Sequence, residues 1–211
     1  MSAPRSAAKE PYHHGDLRQH LIEATIALIL EEGVSQLSLR QVAKRVGVSH
    51  NAPYRHFVDK DALLAAVAAQ GFQALQMAME TASQPLPIGS AQRLTAIGVA
   101  YVQFAIAQPA YYRLMFGDYR CDVSQNSALG EASQQAFNVL MTTIQEGQAA
   151  GVFRGEKAID LARVAWSMVH GQAMLALNQK LQIQPGEELE AFLRFSSAML
   201  IHGLANPAMP D

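Results

Sequence analysis

The sequence predicts an all-α fold, and three observations carry that prediction. Apolar residues recur at three- and four-residue spacing along most of the chain, as on one face of a helix. Glycine, proline and capping residues interrupt these stripes where helices are expected to begin and end. No segment alternates apolar and polar residues as a half-buried strand does, and no internal repeat is visible.

The first helix is predicted from about Asp16 to Glu32 and is closed by Gly33. It follows residues 1–11, which are small, polar and bounded by proline, and which we expect to form a disordered arm. Its inner stripe packs over the next segment and consists of Leu17, Leu21, Ala24 and Leu28.

The second helix is predicted over Ser38–Val46. Ser38 and Gln41 have the spacing of a capping box, in which each side chain satisfies a backbone donor of the other residue. Gly47 occupies the position where a left-handed residue closes a helix. The segment therefore predicts a short helix followed by a tight turn.

A third short helix is predicted from a cap at Ser49 through about Phe57. Pro53 lies in its first turn, so the helix either begins later or has an irregular first turn. Two short helices around a glycine turn predict a helix-turn-helix over about residues 38–57.

A fourth helix is predicted from Lys60 to about Ser83, with Asp59 as its cap. Pro85 and Pro87 form the clearest break in the chain. We place the domain boundary there, with residues 12–82 as the first domain and connecting helix and residues 83–211 as the second domain.

The second domain is predicted to be helical throughout, with a short aromatic turn between its first two helices. Helix Ala158–Lys180 is apolar nearly all round, which indicates burial on several sides. This helix and Glu187–Leu204 would form a four-helix bundle with the same two helices of a second copy of the chain. The remaining predicted segments are Ala91–Gln108 ended by Pro109, the aromatic turn Ala110–Phe116, the loop Gly117–Gln125, and Asn126–Ala150 closed by Gly151.

Composition adds the distribution of charge. The chain has a formal net charge of −2, but residues 1–60 hold 8 Lys/Arg against 6 Asp/Glu and five of the seven His. This asymmetry favours an anion-binding N-terminal end. A single cysteine, Cys121, excludes an intramolecular disulfide. With no signal-peptide core near the start and no bilayer-length apolar run, even at Val164–Gln179, we expect a cytoplasmic protein.

The residues expected to point outward around the helix-turn-helix combine phosphate-binding cations with side chains that hydrogen-bond base edges. They are Arg40, Lys44, Arg45, His50, Asn51, Tyr54, Arg55 and His56. Together with the runs Gly47-Val48-Ser49, Tyr54-Arg55-His56-Phe57 and Asp59-Lys60-Asp61-Ala62-Leu63-Leu64, the segment resembles the N-terminal DNA-binding domain of the TetR family of bacterial transcriptional regulators.

The resemblance implies a role for individual residues. Arg40 would reach a base or a phosphate, and Lys60 would bind a phosphate. Ser38 and Ser49 match capping positions that are close enough to touch phosphates. The contacts of the recognition helix are His50, Tyr54 and His56. Asn51 either reads an adenine edge or helps to start its helix. His56 is alternatively a structural residue of the turn, and Lys44 and Arg45 are interpreted as solvated.

The pattern of Trp166, His170 and Gly171 is similar to a C-terminal subgroup of that family, often called the WHG domain. The family places an effector pocket in this domain and a dimer interface on its last two helices. Pocket candidates are Phe72, Tyr101, Phe104, Tyr111, Phe116, Phe137, Met141, Trp166, His170 and Met174. At helical spacing, any one of these residues is more often plain core than pocket wall, and His170 is interpreted as a hydrogen-bonded structural residue rather than a proton switch. The lining suits an apolar or neutral ligand.

The sequence therefore predicts a homodimeric, effector-responsive regulator, most simply a repressor, that binds a near-palindromic operator. A metal site at His13, His14 and His20 with Asp16 and Glu23 is disfavoured, because a histidine pair on an entry segment does not converge on one point. No enzyme fingerprint is present, and we expect no cofactor. The alternatives are a helical ligand-binding or scaffold dimer without DNA recognition and, less favoured, an enzyme.

Overall fold

In a computed structural model, residues 17–117, 126–184 and 186–204 are described, and they form eight α-helices and one turn of 3-10 helix. The predicted all-α fold is confirmed. The helices are α1 (Leu17–Glu32), α2 (Leu39–Val46), α3 (Lys60–Ser83), α4 (Ala91–Ala107), α5 (Pro109–Phe116), α6 (Ser127–Ala149), α7 (Ala158–Leu177) and α8 (Glu187–Leu204). The predicted arm at 1–11, the histidines at 13 and 14, Asp16, Cys121 and most of the loop at 117–125 lie outside the described residues.

The chain divides into two compact units between Leu63 and Leu64, within α3. The domain boundary predicted after residue 82 was placed at the proline-rich break in the sequence, and it stays a prediction. Below, the first unit comprises residues up to 63 and the second unit the residues from 64 onward.

The first unit is held together by α1 packed on α2. Leu21, Ile22, Val42 and Ala43 have no measurable solvent exposure. Ser38 caps α2 with its Oγ, which accepts from the Gln41 amide at 3.3 Å. Its hydroxyl also donates to Gln41 Oε1 at 2.7 Å, so the Gln41 side chain faces the serine hydroxyl rather than a backbone donor. Only half of the predicted capping box is therefore formed.

The α-helix predicted from Ser49 to Phe57 is wrong. The structure has turns at Gly47 and at His50–Asn51, with irregular backbone between them, and then a single turn of 3-10 helix, Pro53–Arg55. Proline lacks the amide hydrogen needed in a helix interior but is tolerated at a first helical position, which Pro53 occupies here. Ala52 nevertheless has right-handed helical angles, with φ −60° and ψ −43°.

The second unit is built around α4, which packs against α5, α6, α7 and α8. Val102 and Ala105 of α4, Tyr112 of α5 and Ala162 of α7 have no measurable exposure. At the start of the unit, Gly71 of α3 allows a close approach to α5, since a Cβ there would lie 2.6 Å from Met115 Sδ.

Two predicted segments of the second unit need correction. The aromatic turn Ala110–Phe116 is a helix, α5, because Pro109 at its first position needs no intrahelical donor. Helix α7 ends at Leu177 rather than Lys180, because the Asn178 side chain donates to the Met174 carbonyl and the backbone then turns to φ 56° at Gln179.

Helix α7 is buried on only one side within the single chain. Leu161, Ala165 and Val169 are buried, whereas Val164 and Leu175 are 53% and 46% exposed. The expectation of burial on several sides is therefore not met by one copy of the chain. An apolar face that a monomer leaves in water is typical of an interface.

Among the described residues, helix α3 is long and apolar enough to cross a membrane by length and composition alone. More than half of that stretch is buried inside the folded chain, including Leu64, Val67 and Leu75. Burial of this kind is what a core helix of a soluble domain shows, and we interpret α3 as one.

Candidate DNA-binding surface and effector cavity

Two buried anchors shape the exposed turn of the first unit, which we define as residues 47–57. Pro53 is buried and Phe57 is only 4% exposed. The Arg18 guanidinium lies 5.4 Å from the centroid of the Phe57 ring, within the range of a cation–π contact. Because both anchors face inward, the side chains between them are held outward.

The predicted DNA-contacting residues of the exposed turn all face solvent. Tyr54 is 52% exposed, although it is a large aromatic residue. The other exposed members are Ser49, His50, Asn51 and His56. Arg40 is also exposed, on the first turn of α2, whereas Ser38 is half-buried at the cap. The turn therefore presents hydrogen-bonding groups and an aromatic ring to solvent.

Lys60 is half-buried, and its Nζ donates to the carbonyl of Val34 at 2.8 Å. The contact ties the start of α3 to the segment after α1. An ammonium group has three donors, so the same side chain can hold a second acceptor. The neighbouring Asp59 carboxylate caps α3 by accepting from the Ala62 amide at 2.8 Å.

Arg45 is engaged on the surface of the first unit in a bidentate ion pair with Glu31. This hydrogen bond holds the pKa of the Glu31 carboxyl below its usual range and raises the pKa of Arg45. The pairing agrees with the interpretation of Arg45 as a surface residue. Nothing in the structure sets Lys44 apart from other solvated lysines.

The second unit encloses a cavity of about 390 Å³, a size typical of small-molecule sites. Five of the predicted pocket residues line it, namely Phe72, Tyr101, Phe116, Phe137 and Trp166. Five others do not: Phe104, Tyr111, Met141, His170 and Met174. Tyr111 instead contacts α3, where its hydroxyl lies 3.4 Å from Gln70 Oε1.

A hydrogen-bonded aromatic cluster lies at one side of this cavity and consists of Tyr101, Tyr112, Phe116, Trp166 and His170. Tyr101, Phe116 and Trp166 line the cavity, and Tyr112 and His170 lie behind them. The Tyr101 and Tyr112 hydroxyls lie 3.0 and 2.8 Å from His170 Nδ1. Tyr112 donates to Tyr101 at 3.0 Å, and Trp166 Nε1 donates to Tyr101 at 3.3 Å. The ring of Phe116 lies 5.0 Å from that of His170.

Burial keeps the titratable members of the aromatic cluster neutral. Burial raises the pKa of Tyr101 to about 12, although the hydrogen bonds from Tyr112 and Trp166 act to lower it. Burial raises the pKa of Tyr112 above that of Tyr101. Burial also lowers the pKa of His170. His170 is thus a hydrogen-bonded residue behind the cavity wall, as one of its two interpretations predicted.

Tyr112 and Arg163 belong to this site but were not among the predicted residues. Tyr112 precedes Phe116 by four residues, a spacing that places both side chains on one face of a helix. The spacing did not indicate a shared face in the sequence, because the segment was expected to be a turn. Ile159, Arg163 and Trp166 line the cavity at helical spacing on α7. Their spacing was available in the sequence as well.

The comparisons with known proteins agree with both units. Residues 21–67 match the family described as bacterial regulatory proteins, tetR family, and residues 94–200 match the family described as tetracyclin repressor-like, C-terminal domain. The HTH-type transcriptional regulator BetI of Yersinia pestis is 49% identical over 49 residues, which are 23% of this chain and 25% of that protein. The match thus spans about a quarter of the length of that relative.

Solved structures extend the likeness to nearly the whole chain. A protein of unknown function from Rhodococcus sp. RHA1 is 35% identical, with a TM-score of 0.81 over 93% of this chain and 100% of the other. The regulator FadR of Bacillus subtilis, solved in complex with stearoyl-CoA, has a TM-score of 0.72 at 15% identity, over 88% of this chain and 98% of its own. At this low identity, the likeness to FadR concerns the fold alone.

The aromatic cluster predicts a pH dependence of stability. The groups facing His170 from α4 and α5 are the neutral hydroxyls of Tyr101 and Tyr112, with the rings of Phe116 and Trp166 beside it. Because folding lowers the His170 pKa from 6.5, its stabilising contribution is complete above pH 6.5 and is lost as the pH falls through the folded-state value.

Thermal unfolding measured from about pH 8 to about pH 5 tests this dependence. The wild type is expected to lose more stability on acidification than His170→Asn, whose amide replaces the hydrogen bond without titrating. The exposed His202→Asn is the matched control and should follow the wild type. Parallel curves for wild type and His170→Asn would contradict the interpretation.

Proposed function

The chain belongs to the tetR family of bacterial regulatory proteins, and we propose that it is a sequence-specific DNA-binding transcriptional regulator in the cytoplasm, a homodimeric repressor released by a small-molecule effector. The observation that carries this proposal is the exposed turn, where Pro53 and Phe57 are buried and the polar residues between them face solvent.

In the proposed complex each exposed turn enters a major groove, with Tyr54 and His50 against bases or phosphates and Lys60 on a phosphate. Arg40, at the first turn of α2, meets the backbone or a base beside it. A two-fold dimer requires a near-palindromic operator with half-sites about 34–36 Å apart, or further if the units spread.

The dimer is proposed to form through α7 and α8. Phe195 and Met199 of α8 are 60% and 56% exposed, and Val164 and Leu175 of α7 face solvent as well. Full burial of a side chain of this size stabilises by about 1.5–3 kcal/mol, so a symmetric contact that covers these residues twice offsets the loss of freedom on association.

The effector is proposed to occupy the cavity of the second unit, as an apolar small molecule. Phe72, Leu75 and Met79 of α3 line that cavity, and α3 begins at Lys60, which we place on DNA. An effector that prefers one setting of α3 therefore biases DNA affinity. Coupling of about 1.4 kcal/mol gives a tenfold loss of that affinity.

Lys60 provides the first test of the DNA-binding proposal. With a duplex from the promoter region beside its own gene, Lys60→Ala is expected to weaken binding and to flatten the dependence of log affinity on log salt by about one unit, because one phosphate contact is lost. The salt slope separates this role from the structural contact to Val34, which would not change it. Lys180→Ala, an exposed lysine of the second unit, should leave the slope unaltered.

If the wild type ignored duplex DNA in dilute salt, the chain would be a helical ligand-binding or scaffold dimer instead. An unchanged slope for Lys60→Ala would remove only that lysine from the phosphate contacts.

His50 tests base readout. Because a base contact is worth about 1–3 kcal/mol at one position, His50→Ala should reduce discrimination among operators that differ at that position. Affinities for a panel of single-base operator variants measure this effect. A uniform loss across the panel would assign His50 to the backbone instead, and His202→Ala should change nothing.

Phe195 tests the dimer. Phe195→Glu places a charge on the exposed apolar face of α8 and is expected to yield a monomer where the wild type is a dimer, measured by light scattering during size-exclusion chromatography. Leu30→Glu is the matched control, because Leu30 on α1 is 59% exposed, nearly the same as Phe195 at 60%. A monomeric wild type, or dimers of both variants, would exclude this interface.

A further inference from the structure

The cavity of the second unit carries a single sign of charge. Arg163 is the only charged side chain among the described residues that line it. Gln134 and Ser133 are polar neighbours on α6, and the remaining wall is dominated by aliphatic and aromatic side chains. A positive group and no acidic group on the wall favours an anion over a cation as the polar part of a ligand.

The exposure of the lining residues separates a mouth from a floor. Gln134 and Arg163 are exposed and Trp166 is 36% exposed, so they lie where the cavity meets solvent. By contrast, Leu75 and Leu94 are at most 5% exposed and belong to the floor. The charge is therefore at the mouth, and the interior is apolar.

The mouth lies on a different side of α7 from the exposed apolar face. At about 100° per residue, Ile159, Arg163 and Trp166 share one flank of the helix, whereas Val164 and Leu175 point to another. A partner seated on the apolar face would thus leave the mouth accessible.

Three hydroxyl groups of the described residues line the cavity, those of Tyr101, Ser133 and the buried Ser197, and the first two have protein partners. The Tyr101 hydroxyl already accepts from Trp166 Nε1 and contacts Tyr112 and His170. The Ser133 hydroxyl donates to the Gly130 carbonyl at 2.9 Å. Because the Tyr101 and Ser133 hydroxyls are satisfied by the protein, an apolar tail that fills the cavity breaks no hydrogen bond of either group.

Arg163 can accept a new anionic partner at small cost. Its Nη1 lies 3.2 Å from Asp160 Oδ1, and the two side chains are 65% and 58% exposed. An exposed pair at this spacing contributes little to stability. The guanidinium has five donors, most of which this contact leaves available to a carboxylate or phosphate oxygen.

We propose that the effector is an amphipathic acid, whose apolar tail fills the cavity and whose anionic head binds Arg163 at the mouth. This inference rests on the proposed function for its regulatory meaning, but the binding itself requires no DNA. It narrows the predicted apolar or neutral effector to an acid with an apolar tail.

Three probes with the same flexible apolar chain test the head group: decanoate, 1-decanol and decyltrimethylammonium, all below their micelle concentrations. Binding to the full-length chain is followed by calorimetry and by the fluorescence of Trp166, the single tryptophan. Decanoate is expected to bind the tightest of the three. Tighter binding of the alcohol or of the ammonium probe, or no binding of any probe, would overturn the proposal.

Two substitutions with opposite effects make the assignment specific. Arg163→Gln should weaken decanoate about tenfold and leave 1-decanol unchanged, because a charge-assisted hydrogen bond is lost. Asp160→Asn should strengthen decanoate about twofold, because the competing carboxylate is removed. Arg194→Gln is the matched control: it breaks an exposed i,i+4 pair with Glu190 on α8, away from the cavity lining.

If both Arg163→Gln and Asp160→Asn bound decanoate like the wild type, Arg163 would not hold the head group and the proposal would fail. Decanoate binding with the expected response to both variants, but without release of DNA, would leave the ligand class in place and count against effector control of DNA binding.

Discussion

The Tyr101 hydroxyl is the point on which the second unit depends. It lies on α4, accepts from Trp166 on α7, and contacts Tyr112 on α5 and His170 on α7. Three helices thus share one buried set of hydrogen bonds. Loss of a partner would leave a buried polar group unsatisfied, at about 1–3 kcal/mol each, so the cluster fixes how these helices meet.

The same cluster explains why a cavity persists beside it. Aromatic side chains that are held by hydrogen bonds or ring contacts cannot collapse freely into empty space, and Trp166 and Phe137 face each other across 6.1 Å between α7 and α6. The cavity is therefore a product of a rigid wall. Because the wall is rigid, a bound ligand would displace the lining residues of α3 rather than the aromatic side chains of the cluster.

In the first unit the equivalent constraint is the pair of anchors Pro53 and Phe57. Between Gly47, which takes the left-handed conformation with φ 79°, and these anchors, the backbone makes turns instead of a full helix. Exposure of an aromatic ring such as that of Tyr54 to water is unfavourable for the isolated chain. A binding partner that covers the ring would remove this cost. Both units thus keep apolar groups in water where we propose an interface: Tyr54 for DNA, and α7 with α8 for a second copy.

The sequence by itself determined the all-α class, the bounds of α3 and α8 and the cap at Ser38, because periodicity and capping act over three or four residues of one segment. The family resemblance also placed Trp166 and Tyr101 among ten pocket candidates, of which five line the cavity and five, including His170, do not. Only the tertiary structure decided that the turn at Pro53 is a 3-10 helix, that Tyr112 joins His170, and that Arg163 stands at the mouth. These facts depend on side chains that converge from different helices, and the angles at which helices pack are set by the whole core rather than by the spacing within any one segment.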